Sequence, residues 1–291
     1  MLASGRTFGI GAVMLGLSLG LGLSLGLSLA LGTAPARAAS PVVAAAETQV
    51  GIDGDFLHQQ YHENLAVGDD ESGYMPGFGI NIGALLPTYA GRLSAPDIYT
   101  NLGYEFNAGN INYAGHYQSG QPVDLIDNAV MNRVEARLGV GLPLMSGDEI
   151  ILFAAGGYQA WNRNINQKGG IGTDEFYHSG LFGGGLKLDM PIANTLVASA
   201  TGELLGLAGG GITANGEDFG RGFGVTPEER VQLGLDEAVR PRIHVFAGAF
   251  WEHFNYSGTH PEYYGNEGYI YEPFSTTTQF GANLGVGYSF N

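Results

Sequence analysis

Large and small residues alternate one by one through segment after segment of this 291-residue chain. A period of two belongs to β-strands, whose successive side chains point to opposite faces. The C-terminal segment FGANLGVGYSFN shows it most cleanly. Phe280, Ala282, Leu284, Val286, Tyr288 and Phe290 share one face, and Gln279, Gly281, Asn283, Gly285, Gly287 and Ser289 the other. Phe78, Ile80, Ile82 and Ala84 likewise oppose Gly77, Gly79, Asn81 and Gly83. Val134, Ala136, Leu138, Val140 and Leu142 oppose Arg133, Glu135, Arg137, Gly139 and Gly141. Ile98, Leu102, Tyr104 and Phe106 oppose Asn101, Gly103 and Glu105, whereas residues 149–163 and 241–255 are apolar on both faces and declare no parity. The 49 glycines, many inside apolar stretches, disfavour helices and suit strands with one crowded face.

Ten such segments are expected, at about 49–61, 74–86, 97–107, 130–142, 149–163, 176–189, 195–208, 229–237, 241–255 and 276–290. Four hairpins carry Pro at or near their turns, where a missing ladder donor does least harm. Longer polar segments separate them, at about 62–73, 108–128, 164–175, 209–227 and 257–275, so short turns and long loops alternate along the chain. If both termini lie at the short-turn end, every long loop projects from the other end. The expected fold is all-β: an antiparallel up-and-down transmembrane β-barrel of ten strands, closed so that no edge is left unpaired in hydrocarbon. Eight or twelve strands are the alternatives, because NAGN at 107–110 could start an extra hairpin. Aromatics at the strand ends (Tyr74, Phe78, Tyr104, Phe106, Trp161, Phe176, Trp251, Phe254 and Tyr256, with Tyr288 and Phe290 opposite) are expected to form two interfacial girdles.

Residues 1–38 read as a cleavable secretory signal peptide: Arg6, an uncharged apolar run, then the small-x-small site Ala36-Arg37-Ala38. A retained anchor is the rival reading, but the run's Gly and Ser content makes it only moderately hydrophobic. Residues 39–48 then form a short N-terminal segment and 49–291 the barrel. The chain carries 12 Lys and Arg against 28 Asp and Glu, a net charge of −16; losing Arg6 and Arg37 with the leader would leave 10 basic residues and a net charge of −18. With no basic patch to neutralise phosphates, nucleic acid is excluded as a partner. Cysteine is absent, which excludes disulfides and thiolate chemistry.

The export signal, the ten alternating strands, hairpins such as LPLMSGDEIILFAAGGYQ, and the closing GVGYSF resemble the small outer-membrane β-barrel proteins of Gram-negative bacteria, over essentially all of the mature chain. The resemblance implies residence in the bacterial outer membrane, contact with its lipids and lipopolysaccharide, and recognition of the last strand by the barrel-assembly machinery. That machinery usually meets a terminal aromatic; here Phe290 is penultimate and Asn291 follows.

Charges on inward faces need partners in a narrow barrel. Glu105, Arg133, Glu135, Arg137, Lys187, Asp189 and Glu203 are therefore expected to form a lumen network, either plugging the barrel or tuning a pore. The loop GTHPEYYGNEGYIYEPF carries Tyr263, Tyr264, Tyr269 and Tyr271, a composition suited to a binding surface. Two catalytic patterns fail. Ten-stranded omptin proteases use an Asp pair and an Asp-His pair, but here Asp69 and Asp70 are adjacent and no Asp-x-His occurs. His178 and Ser179 point to opposite strand faces, and His253 and Ser257 are four residues apart, so a Ser-His hydrolase centre lacks its spacing. His58 and His62 are too far apart along a strand to share a metal, and the run Asp69-Asp70-Glu71 reads as a solvated loop rather than a Ca²⁺ cage. No enzyme, cofactor or metal is expected. The leading expectation is a porin-like envelope protein with a structural or limited small-solute role. A surface adhesin or receptor binding an extracellular ligand through its loops comes second, and an outer-membrane hydrolase third.

Overall fold

The computed structural model describes residues 39–90, 93–94, 96–116, 121–165, 172–218, 222–263 and 269–290; the expected leader, 1–38, lies outside them. A short helix, α1 (Pro41–Glu47), comes first, with Ser40 as its N-cap and Pro41 at its first position. Ten long strands follow: β1 (Gln49–Glu63), β2 (Asp70–Leu86), β3 (Asp97–His116), β4 (Pro122–Pro143), β5 (Glu149–Ile165), β6 (Asp174–Pro191), β7 (Leu196–Ala214), β8 (Thr226–Arg240), β9 (Ile243–Tyr256) and β10 (Ser275–Ser289). Each pairs antiparallel with its chain neighbours, and β10 returns to β1 from Gln49↔Ser289 to Glu63↔Ser275. The sheet is thus a closed up-and-down barrel of ten strands, not eight or twelve. Possible hairpin residues 107–110 stay within β3, which continues past them to pair with β4 as far as His116↔Pro122.

The outer face matches the alternation. On β8, Val231, Leu233 and Leu235 face out between Glu229 and Glu237. The eight residue steps between those acids span roughly 26 Å along the strand, or about 20 Å of membrane depth at the usual tilt of about 35–45° of barrel strands, most of a lipid-facing apolar band. Ile80, Ile82, Leu102, Leu138, Val140, Leu284 and Val286 continue the band around the wall. An apolar outer band on a closed antiparallel wall is the pattern that a bilayer-spanning barrel requires.

Three expectations need correction. Half of the polar stretch 62–73 and most of 108–128 are strand, because β1 to β4 rise above the lipid band. Beyond the lipid, an outward face has no reason to be apolar, so the alternation that marks a strand fades. Trp161, Phe254 and Tyr256 do not join a girdle: they point inward and are fully buried, whereas Tyr74, Phe78, Phe176, Tyr288 and Phe290 do face outward. Finally, Asp70 and Glu71 begin β2 instead of lying in a solvated loop, and Glu71 is buried.

A register change in β7 reverses its facing. Tyr177 pairs with Ile212 and His178 with Gly211, but Gly180 pairs with Ala208, so β7 carries extra residues opposite Ser179. Gly209 sits there at φ +62°, a left-handed conformation that glycine adopts without a Cβ penalty. Below this bulge odd residues such as Leu205 and Leu207 face inward; above it the even Ile212 does.

Candidate functional site: the barrel lumen

Inward side chains stack in three layers. The middle layer contains five of the seven expected charges. Arg133 Nη2 lies 2.6 Å from Glu135 and 2.7 Å from Glu228, and its Nη1 is 3.4 Å from Glu252. Arg137 Nε bridges Glu135 at 2.7 Å and Glu203 at 2.8 Å. Glu105 pairs instead with Arg230, at 2.6 Å, and Arg230 Nη1 lies 3.4 Å from Glu252. Arg137 and Arg230 also lie over the rings of Phe153 and Phe250, which use the guanidinium faces left free by edge-on carboxylate pairing. Three guanidiniums thus hold five glutamates, and an isolated buried ion would be far more costly than this network.

The upper layer centres on a cation that parity did not reveal. Arg163 is buried on the inner face of β5. Its Nε donates to Glu71 at 2.8 Å, and its Nη1 donates to Glu175 at 2.6 Å and to the Tyr177 hydroxyl at 2.8 Å. Its guanidinium carbon lies 4.7, 5.2 and 5.5 Å from the ring centres of Tyr61, Trp161 and Tyr177. Tyr256, Phe254 and Phe223 complete an aromatic fill, with Phe223 reaching in from the β7–β8 connection to stack on Tyr177. The β9–β10 connection is tied to the same layer. Glu272 accepts from the hydroxyls of Tyr177 at 2.6 Å and Tyr61 at 3.2 Å.

In the lower layer, α1 sits in the short-turn mouth against β2, β6, β7 and β8, with Val43 fully buried. Lys187 donates to Glu47 of this helix and lies 3.5 Å from Asp189, so the remaining two expected lumen charges meet here. Gln49 donates to Asp236 at 2.8 Å, and Asp236 also contacts His244. Between α1 and the arginine belt lies a cavity of about 220 Å³, lined in part by Asp53, Asp55, Glu105, Arg230 and Lys187.

All seven expected lumen charges therefore face inward, in two layers rather than one network. Sequence reading missed Arg230, Glu228 and Glu252, which the alternation on β8 (Glu228 and Arg230 against Val231 and Leu233) could have supplied for the first two. It also missed Arg163, Glu71, Glu272 and the whole of α1. Of the expected loop surface, Tyr263 is 68% and Tyr271 46% exposed, and Tyr263 pairs with Tyr269 across a two-residue ribbon. Tyr264 lies outside the described residues. The hydrolase pairs do not assemble. His178 stacks on Phe176 outside the wall while Ser179 is buried inside. His253 meets Thr278, and Ser257 Oγ accepts from Gly224 N at 2.6 Å. His62 contacts Asp70 at 2.7 Å. Among the described residues no cluster of His, Asp and Glu has the geometry of a metal site.

No protein-family model and no curated protein matches this chain. Among solved structures, the chain is similar to the outer membrane protease OmpT of Escherichia coli, at 12% identity and a TM-score of 0.48, covering 84% of this chain and 97% of that one. Neisserial surface protein A is similar at 12% identity and a TM-score of 0.36, over 83% and 97% of the two chains. The translocator domain of the autotransporter NalP from Neisseria meningitidis is similar at 12% identity and a TM-score of 0.35, over 97% and 100%. Likeness at this level carries no activity from one chain to another.

Proposed function

We propose that this protein serves the outer membrane as a structural barrel with a closed lumen, admitting at most limited small solutes, and that it is not an enzyme. The observation that carries this reading is the filling of the lumen at three heights: α1 at the short-turn mouth, the Arg133–Arg137–Arg230 belt at mid-height, and the buried Arg163 and aromatic layer above. The cavity between the lower two is flanked by both. An open pore needs a continuous water path, and charged rings tune such a path only where it exists. Planar-bilayer recording tests the reading. Wild-type protein should show no steady conductance. Replacing Arg133 and Arg137 together with Ser should admit current or destabilise the barrel, because Glu135 and Glu203 lose their cations. Stable wild-type channels with cation preference would overturn it.

Exposed Tyr263 and Tyr271 favour a second reading, a surface that binds an extracellular ligand through the β9–β10 connection. The double substitution Tyr263→Ser, Tyr271→Ser leaves the Glu272 anchor in place. Unchanged attachment to host cells and matrix by bacteria bearing it would count against an adhesin.

A further inference from the structure

Among the described residues, the short-turn mouth holds more buried carboxylates than cations paired with them. Asp97 opens β3, Glu149 opens β5, and Asp189 lies near the end of β6; all three are at most 2% exposed. Glu149 and Asp189 are direct cross-strand partners, a placement that like charges ordinarily avoid. The charges acting most strongly on Glu149 are those of Asp97, Asp189 and Glu47, all carboxylates. Lys187 is the ammonium of this cluster, and it is engaged by Glu47 and Asp189. Both carboxylate oxygens of Glu149 are buried without a hydrogen-bond partner, which is costly for a charged group. Among the described residues, no Lys or Arg other than Lys187 forms an ion pair with Asp97, Glu149 or Asp189.

One backbone group does reach into the mouth. The nitrogen of Ala39 lies 3.1 Å from Asp97 Oδ2, and Ala39 packs against the buried core beside α1. Ala39 is also the residue that follows the small-x-small site Ala36-Arg37-Ala38. As an amide, this nitrogen offers a single N–H and no charge. Hydrolysis of the Ala38–Ala39 bond consumes one water and leaves a carboxylate on Ala38 of the leader and an amine on Ala39. That amine takes a proton from solvent at neutral pH, since α-amino groups titrate near 8. The nitrogen then presents three donors and a full positive charge within the acidic mouth.

We propose that leader removal creates the missing cation: the α-ammonium of Ala39 is a structural ligand of the barrel mouth, paired with Asp97 and facing Glu149, and it locks α1 in place as the lower stopper. Processing and closure are thereby coupled, because an unprocessed or N-terminally extended chain can supply only a neutral amide at the same point. The inference rests on the closed-lumen reading only in taking α1 as a stopper; its test does not use conductance, so the two can fail separately.

The mass of the chain purified from outer membranes should correspond to a start at Ala39; any other start overturns the proposal. Docking of α1 can then be read by thiol labelling, since the protein has no cysteine and Val43→Cys introduces a single buried one. In the processed chain, Cys at 43 should react slowly with a maleimide. Asp97→Asn should accelerate labelling by about tenfold or more, because it breaks a buried ion pair. A Gly-Ser-Gly extension before Ala39 should accelerate it similarly, and combining the two should add little. A heat-shifted gel band checks that each barrel is folded. Should the extended chain fail to fold, Glu149→Gln in the processed chain decides: it accelerates labelling if Glu149 faces the ammonium, and slows it if Glu149 is merely repelled by Asp97. Equal labelling of the processed, extended and Asp97→Asn chains would overturn the lock, as would slower labelling with Glu149→Gln.

Discussion

Arg163 illustrates how much one residue can carry in a lumen. It holds Glu71 and Glu175 through charged hydrogen bonds and presents its faces to three aromatic rings. Arg163→Met preserves much of the volume but leaves those carboxylates buried without their cation, a loss expected to cost about 3–5 kcal/mol. The denaturant midpoint of the detergent-solubilised barrel should fall accordingly, and Arg163→Met combined with Glu71→Gln should recover part of it. A midpoint unchanged by Arg163→Met would show that the upper layer is held by aromatic packing alone. Glu272 sits outside the membrane wall and behaves differently. Burial first, and then repulsion from Glu175, pushes its carboxyl up to about 8 from an ordinary 4.5, against the pull of Arg163. A carboxyl with a raised folded-state pKa binds its proton more tightly when docked. Its contribution to loop docking is therefore complete below about pH 4.5 and is lost as pH rises through about 8. Chymotryptic cleavage at the tyrosines of 257–274 should accelerate across that window, and Glu272→Gln should flatten the profile. A pH profile identical in wild type and Glu272→Gln would remove Glu272 as the cause.

At the scale of the element, each strand must satisfy lipid on one side and a crowded interior on the other. Leu138 on β4 is 65% exposed on the outer face, so Leu138→Arg places a cation in hydrocarbon at about 2–4 kcal/mol near the midplane. Gly103 on the facing strand β3 lines the cavity and has no atom within 4 Å of where a Cβ would stand, so Gly103→Ser should be accommodated. The adjacent Gly139 would be a poor control even though it also faces inward, because a Cβ there would lie 2.1 Å from the Leu152 carbonyl oxygen. Assembly into the heat-shifted form should therefore be impaired by Leu138→Arg and retained by Gly103→Ser. Equal assembly of both would contradict the facing of β4.

For the whole molecule, closure is what makes the layers possible. A ten-stranded wall encloses a lumen narrow enough that side chains from opposite walls meet: Arg163 of β5 reaches Glu71 of β2, and Arg230 of β8 reaches Glu105 of β3. The second of these joins residues 125 positions apart, so such cross-lumen ion pairs stabilise the closed sheet rather than any single hairpin. The wall also rises unevenly, with β3 and β4 the longest strands at 20 and 22 residues, and the described connections fold inward over the lumen through Phe223 and Glu272. Ion pairs that span the lumen and a sheet without edges are thus two results of one topology.

Much of this was legible in the sequence because a lipid boundary writes itself into parity. Phe280 to Phe290 were expected to face one way and Arg133 to Arg137 the other, and the regular alternation of short turns with long loops pointed to a closed barrel. Local alternation also assigned all seven expected charges to the interior. What it could not assign was partnership, since Glu105 chooses Arg230 across the lumen and not the nearby Arg133 only once the wall is curved. Nor could it resolve β5, where an inward face filled by Ile151, Phe153 and Trp161 is as apolar as the face in lipid. The bulge at Gly209 shifts parity without leaving a hydrophobic signature, and strands above the membrane lose the contrast that marks them. The seven residues of α1 are too few to show an amphipathic period; their position is decided by the mouth they fill and by charges that only tertiary folding brings together.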